Sequence, residues 1–117
     1  GLKTAIEEIR ELRKDFYANL RIPGELNDLN PELQKATRLA DFLELGELMA
    51  MDALNREESC GGHFREEYQT GEGEALRDDK QYNYVAAWMF GGEGKNPEMI
   101  REPLVFEEIE VKQRNYK

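Results

Sequence analysis

Two stretches in which apolar residues return every three or four positions, separated by a proline–glycine break, constrain this chain more than any other feature. From Leu2 to about Leu20 the apolar positions are Leu2, Ala5, Ile6, Ile9, Leu12, Phe16 and Leu20, with Glu7, Glu8, Glu11 and Lys14 on the other side. That spacing puts the apolar groups on one face of an amphipathic helix. Pro23 and Gly24 end it. Asn30 ahead of Pro31 then supplies a capping oxygen and a proline at the first helical position, which predicts a second helix over about 31–55. Its stripe is Leu33, Ala36, Leu39, Ala40, Leu43, Met49, Ala50, Ala53 and Leu54. Phe42, Leu45 and Met51 fall away from that stripe, so burial is expected on more than one side. Two helices alone do not cover such a surface.

After Asn55 the texture changes. Residues 56–80, with Gly61, Gly62, Gly71 and Gly73, read as a long loop. From Gln81 to Phe90 the β-favouring residues Tyr82, Tyr84, Val85, Trp88 and Phe90 return, and a second β-rich run, Leu104, Val105, Phe106, Ile109 and Val111, follows the turn region around Gly91, Gly92 and Gly94. The natural pairing is a C-terminal hairpin over about 81–111, with one wet face and a bulge where Val105 and Phe106 adjoin. The predicted class is mainly α, and there is no internal repeat.

With 117 residues, 39% apolar and 35% charged, the chain reads as one domain with a small core. Its formal charge of −9 argues against nucleic acid as a partner, because no continuous cationic face is available to neutralise phosphates. A single cysteine, Cys60, excludes an intramolecular disulfide, and no run reaches the roughly 18 to 20 apolar residues of a spanning helix. The expected location is cytoplasmic. The chain enters a helical pattern at Leu2 without a leader or clear cap, which reads as a cut inside a larger protein.

Candidate chemistry is sparse. Cys60 and His63 offer one thiolate and one imidazole, short of the four ligands of a closed zinc site. As a thiol–imidazole nucleophile they lack any nameable oxyanion donor or orienting group. The glycines at 71, 73, 91, 92 and 94 belong to no phosphate-binding motif and read as turn residues. The pairs Glu57-Glu58, Glu66-Glu67 and Asp78-Asp79 fit a solvated surface in a chain with 25 acidic residues. The cluster Arg56, His63, Arg65 and Arg77 gathers cations around a glycine-rich loop, either for an anionic partner surface or ligand or for ordinary ion pairs with adjacent carboxylates.

The run from Asn55 to Tyr68, Asn-Arg-Glu-Glu-Ser-Cys-Gly-Gly-His-Phe-Arg-Glu-Glu-Tyr, followed by Leu76-Arg77-Asp78-Asp79, resembles the C-terminal domain of succinate dehydrogenase and fumarate reductase flavoproteins. That family usually reads Glu-Ser-Arg-Gly-Ala-His, then an Arg and an acidic residue, then Arg-Asp-Asp. Glu58, Ser59, Gly61, His63, Arg65, Asp78 and Asp79 match. Cys60 stands in place of the usual Arg and Gly62 in place of the usual Ala. Leu2 to Leu12 and Leu43 to Ala50 are similar to the family's helices, and Lys112 to Lys117 to its Arg-x-Tyr ending. The aromatic hairpin and this ending are most similar to the long, quinone-linked forms of anaerobic gut-type bacteria.

The resemblance implies a truncated three-helix, spectrin-repeat-like bundle of antiparallel helices whose first helix would precede Gly1. Exposed apolar faces on both helices, and self-association to cover them, are then expected. It implies a parent subunit that interconverts succinate and fumarate with covalently bound FAD, at the cytoplasmic face of the bacterial inner membrane, passing electrons to an iron–sulfur subunit and a quinone-reactive membrane anchor. The catalytic and flavin-binding residues belong to earlier domains, so no catalytic, cofactor or metal ligand is expected in this chain. Arg56, Glu58, Ser59, Gly61, His63, Arg65, Arg77, Asp78 and Asp79 become candidates for contact with the upstream flavin and capping domains. The alternative is an autonomous acidic helical adaptor that binds a protein through its apolar stripes.

Overall fold

The computed structural model describes residues 1–25 and 27–113, so the expected ending from Arg114 to Lys117 lies outside the described residues. The elements are α1 (Leu2–Asn19), α2 (Pro31–Asn55), α3 (Asp79–Tyr82), β1 (Tyr84–Met89) and β2 (Glu98–Pro103). Backbone contacts divide the chain into two compact units, Gly1–Asn55 and Arg56–Lys117.

In the first unit α2 begins where the sequence predicts. Asn30 Oδ1 accepts from the amides of Glu32 at 3.1 Å and Leu33 at 3.3 Å, and Asn30 Nδ2 donates to the Pro23 carbonyl. One side chain thus satisfies two first-turn amides and holds the preceding turn. α1 stops at Asn19, one residue earlier than expected, because Leu20 adopts extended backbone angles while its amide still donates to Phe16.

The two helices are antiparallel. Arg10 reaches Glu47, whereas the later part of α1, around Phe16 and Leu20, lies beside Leu39 and Leu43. Ile6 and Leu43 are the buried members of their stripes. Glu47 is buried among them, a position the apolar periodicity did not mark. Arg10 Nε donates to Glu47 Oε1 at 2.6 Å and Arg13 Nη1 to Glu47 Oε2 at 2.7 Å. Both carboxylate oxygens are met by cations, which offsets the cost of removing the charge from water. Phe42, Leu45 and Met49 on α2 and Tyr17 on α1 are exposed, Phe42 by 64%, and Leu12 at the groove beside Leu39 and Leu43 is half-exposed. Positions 42, 45 and 49 share one helix face, so both helices carry the exposed apolar surface expected.

In the second unit β1 and β2 pair antiparallel with unbroken register, from Tyr84↔Pro103 to Met89↔Glu98. The hairpin exists, but its second strand is not the predicted 104–111 run, and no bulge interrupts the ladder. Pro103, without an amide hydrogen, ends the strand just where that run begins. The strand instead uses Glu98 to Pro103, whose charged residues conceal the alternation of Met99 and Arg101 on one face. Leu104, Phe106, Ile109 and Val111 pass along the unit as an irregular strap. The first strand is also shorter than expected, because Asp78 Oδ1 caps Gln81 and starts the one-turn α3 ahead of it.

Burial pushes the Glu47 carboxyl up, but the hydrogen bonds and charges of Arg10 and Arg13 outweigh it and hold the group below its ordinary range. A folded-state value below the unfolded one stabilises fully above the unfolded value of about 4.3, and that contribution is lost as pH falls through the folded one. Glu47→Gln is therefore expected to cost about 1–3 kcal/mol at neutral pH. The gap to the parent chain should narrow as pH falls toward about 3 in urea denaturation followed by circular dichroism. A gap that stays constant would remove the ion pair from the account.

Candidate functional site

Arg56 organises the loop that follows α2. Its Nη1 donates to Glu58 Oε1 at 2.7 Å and to the Tyr82 carbonyl at 3.2 Å, and its Nη2 donates to the Tyr84 carbonyl at 3.1 Å. Its guanidinium also lies over the Tyr82 and Tyr84 rings, at 5.7 and 5.1 Å from their centroids. A planar fork with five donors suits this task, meeting a carboxylate and two carbonyls while stacking on aromatic faces. Glu58, only 2% exposed, uses its second oxygen to accept from the Asp78 amide at 2.8 Å. Arg56 and Glu58 thereby join the start of the loop to the segment that enters the hairpin.

Ser59 is fully buried, and its hydroxyl closes the motif on itself. Ser59 Oγ accepts from the Arg65 amide at 2.8 Å and lies 3.2 Å from the Arg65 carbonyl, to which it donates; the Ser59 amide donates to Leu76. Between them, Cys60 and His63 exchange two backbone hydrogen bonds around Gly61 and Gly62, a two-residue hairpin turn. Gly61 has φ +58°, whereas Gly62 does not have positive φ, the pattern of a turn that needs glycine only at its first central position. Position 62 is thus one that alanine fits, and position 61 is one that requires glycine.

His63 Nε2 lies 3.0 Å from the Arg56 carbonyl. A carbonyl only accepts, so Nε2 carries the hydrogen. The same carbonyl accepts from Arg65 Nη1 at 3.3 Å. Arg65 also stacks on Tyr68 and pairs with Glu67 at 2.6 Å, and that bond holds the exposed Glu67 carboxyl below its ordinary range. Arg77 Nε donates to Asp79 at 3.0 Å, and its Nη2 binds the same oxygen. The three arginines of the predicted cationic cluster are thus each ion-paired to a nearby carboxylate, while His63 pairs with a backbone carbonyl.

The strap is tied at both ends. Leu104 and Asn83 exchange two hydrogen bonds, and Gln113 Nε2 donates to Ala75 at 2.6 Å while its Oε1 accepts from the Arg77 amide. Between these ties lies a cavity of about 320 Å³, lined on the polar side by Arg56, Glu58, Cys60, Arg77 and Asp79 and on the apolar side by Leu104, Phe106, Ile109 and Val111. Sequence reasoning missed both this cavity and the reach of Arg56, because neither has a local spacing to announce it. Among the described residues no group of three or more His, Cys, Asp or Glu side chains is placed to hold a metal ion. The thiol–imidazole pair considered from sequence meets through its backbone, and no buried side-chain nitrogen or oxygen among the described residues lacks a partner. The arrangement does the chemistry of a structural clasp.

Two substitutions separate the turn's requirements. Gly61→Ala is expected to destabilise by about 1 kcal/mol or more, whereas Gly62→Ala is neutral or stabilising by up to about 1 kcal/mol, with open space for its methyl group. Ser59→Ala strands the Arg65 amide and costs about 1–3 kcal/mol. Thermal unfolding of the three variants checks the order; Gly61→Ala and Gly62→Ala of equal stability would remove the turn assignment.

The family model described as fumarate reductase flavoprotein C-term matches residues 1–116. No curated protein and no solved structure gives a significant match. Of the motif residues on which the resemblance rests, Glu58, Ser59, Gly61, His63, Arg65 and Asp78 build the clasp, and Asp79 pairs with Arg77 beside it. With its match running through both helices, the clasp and the hairpin, the chain belongs to the fumarate reductase flavoprotein C-terminal family.

Proposed function

We propose that the chain is a non-catalytic structural and docking domain of a succinate dehydrogenase or fumarate reductase flavoprotein subunit. The observation that carries this reading is that Arg56, Glu58, Ser59, His63, Arg65 and Arg77 all bond to groups within their own unit, where they build a structural clasp. Apolar side chains on both helices meanwhile remain open to a partner. The family match favours this over an autonomous adaptor.

FAD is the cofactor the family implies for the parent subunit, and the described residues do not fit it. Both strands form one antiparallel hairpin, and neither leads through a glycine turn into a helix, the unit that cradles a dinucleotide's pyrophosphate. In this reading the flavin would be held by the upstream part of the subunit. The parent would interconvert succinate and fumarate at the cytoplasmic face of the inner membrane, with an iron–sulfur subunit and a quinone-reactive anchor as electron partners. The exposed helix faces would pack against the upstream part of the subunit, or against a second copy of the chain when it stands alone.

Titrating the chain into a flavoprotein subunit truncated ahead of it tests the proposal, with binding by calorimetry and succinate-dependent dye reduction as readouts. Saturable association with a gain in dye reduction is expected. A flavin-loaded, folded partner that neither binds nor responds would overturn the docking reading and favour the adaptor. Sedimentation of the chain alone should show self-association growing with concentration; a strict monomer would remove the second-copy packing.

A further inference from the structure

The hairpin has two unlike faces. One carries Tyr84, Ala86 and Trp88 opposite Pro103, Arg101 and Met99; on it Tyr84 is buried and Ala86, Trp88 and Met99 are half-buried, and the exposed Arg101 stacks over the Tyr84 ring at 4.7 Å. On the other face the cross-strand pairs are Val85 with Glu102, Ala87 with Ile100 and Met89 with Glu98, and all six residues are exposed. Met89 and Ile100 each have 48% of their surface open to water. A strand face left to water ordinarily carries polar side chains. Here β1 presents an unbroken apolar row, and β2 adds Ile100 between two carboxylates.

Two features define what covers this face. A two-stranded hairpin is marginal in water and gains from packing its apolar side against another element. The face holds two carboxylates and no cation, so its complement has to supply the positive charge. A second copy does not meet that need, because it would set Glu98 and Glu102 of one chain against those of the other, in a chain already at −9.

We infer that this face, the row Val85, Ala87 and Met89 beside Ile100 between Glu98 and Glu102, seats the domain on a surface of the parent flavoprotein subunit that presents apolar side chains flanked by lysine or arginine. The inference rests on the docking reading above and adds to it the surface used and the chemistry of its counterpart. The apolar row supplies the area buried, and the two carboxylates set register through charge pairing.

Hydroxyl-radical footprinting read by mass spectrometry tests it, comparing the 117-residue chain with the intact parent subunit. Met89 and Ile100 are expected to react readily in the chain alone and severalfold less in the intact subunit. In the intact subunit the double variant Glu98→Lys, Glu102→Lys should restore their reactivity. The same variant of the chain alone, altered only at exposed positions, should keep the parent chain's circular dichroism and melting point. If Phe42 and Met49 on α2 become protected in the intact subunit while Met89 and Ile100 do not, docking stands and this face is wrong. If all four react alike in both proteins, the docking reading falls as well. Full protection surviving charge reversal would overturn the cationic counterpart.

Discussion

A carboxylate almost sealed from water must be met on both oxygens, and the second unit of this protein is arranged around meeting that demand at Glu58. One oxygen takes Arg56 and the other the amide of Asp78, residues separated by the whole motif loop. Arg56 in turn holds the carbonyls of Tyr82 and Tyr84 and stacks on their rings, so the hairpin's approach depends on the same guanidinium. A charge left unpaired in that position would cost several kcal/mol, roughly a third of a small domain's whole stability. The loop between Glu58 and Asp78 is therefore closed by electrostatics before any apolar contact is counted. Ser59 and the Cys60–His63 turn then fill the closed loop with hydrogen bonds.

The helix pair solves the same problem differently. Glu47 lies in the seam at a position that the apolar periodicity did not mark, and two arginines from successive turns of α1 converge on it. Few apolar side chains in this unit are buried, Ile6 and Leu43 among them, while larger ones such as Phe42 and Met49 remain open. A polar clamp across a thin apolar seam fixes the register of the helices without burying much area. The apolar surface left over, Phe42 and Met49 included, stays open to water.

The motif shared with the family takes on a physical meaning in this setting. Glycine is required at position 61 because the turn there needs positive φ, and position 62 tolerates alanine because it does not. Cys60, where the resemblance would place an arginine, contributes its backbone to the turn and lines the cavity beside Arg77 and Asp79. The clasp closes without an arginine at that position, through Arg56 and Arg65, which both lie close to His63 in sequence and in space.

The sequence by itself determined whatever rests on local periodicity and capping. The two helices, the start of α2 at Pro31 beneath an Asn30 cap, the glycine turns and the acidic surface all follow from residues within a turn or two of one another. The existence of a hairpin after residue 80 was legible for the same reason. Its second strand was not, because β propensity favoured 104–111, whereas the ladder is set by long-range pairing with Tyr84 to Met89 and stopped by Pro103. The roles of Arg56, Glu58 and Glu47 were equally hidden. Each depends on partners 20 or more positions away, and only tertiary structure decides which carbonyls, amides and cations arrive to satisfy a buried charge.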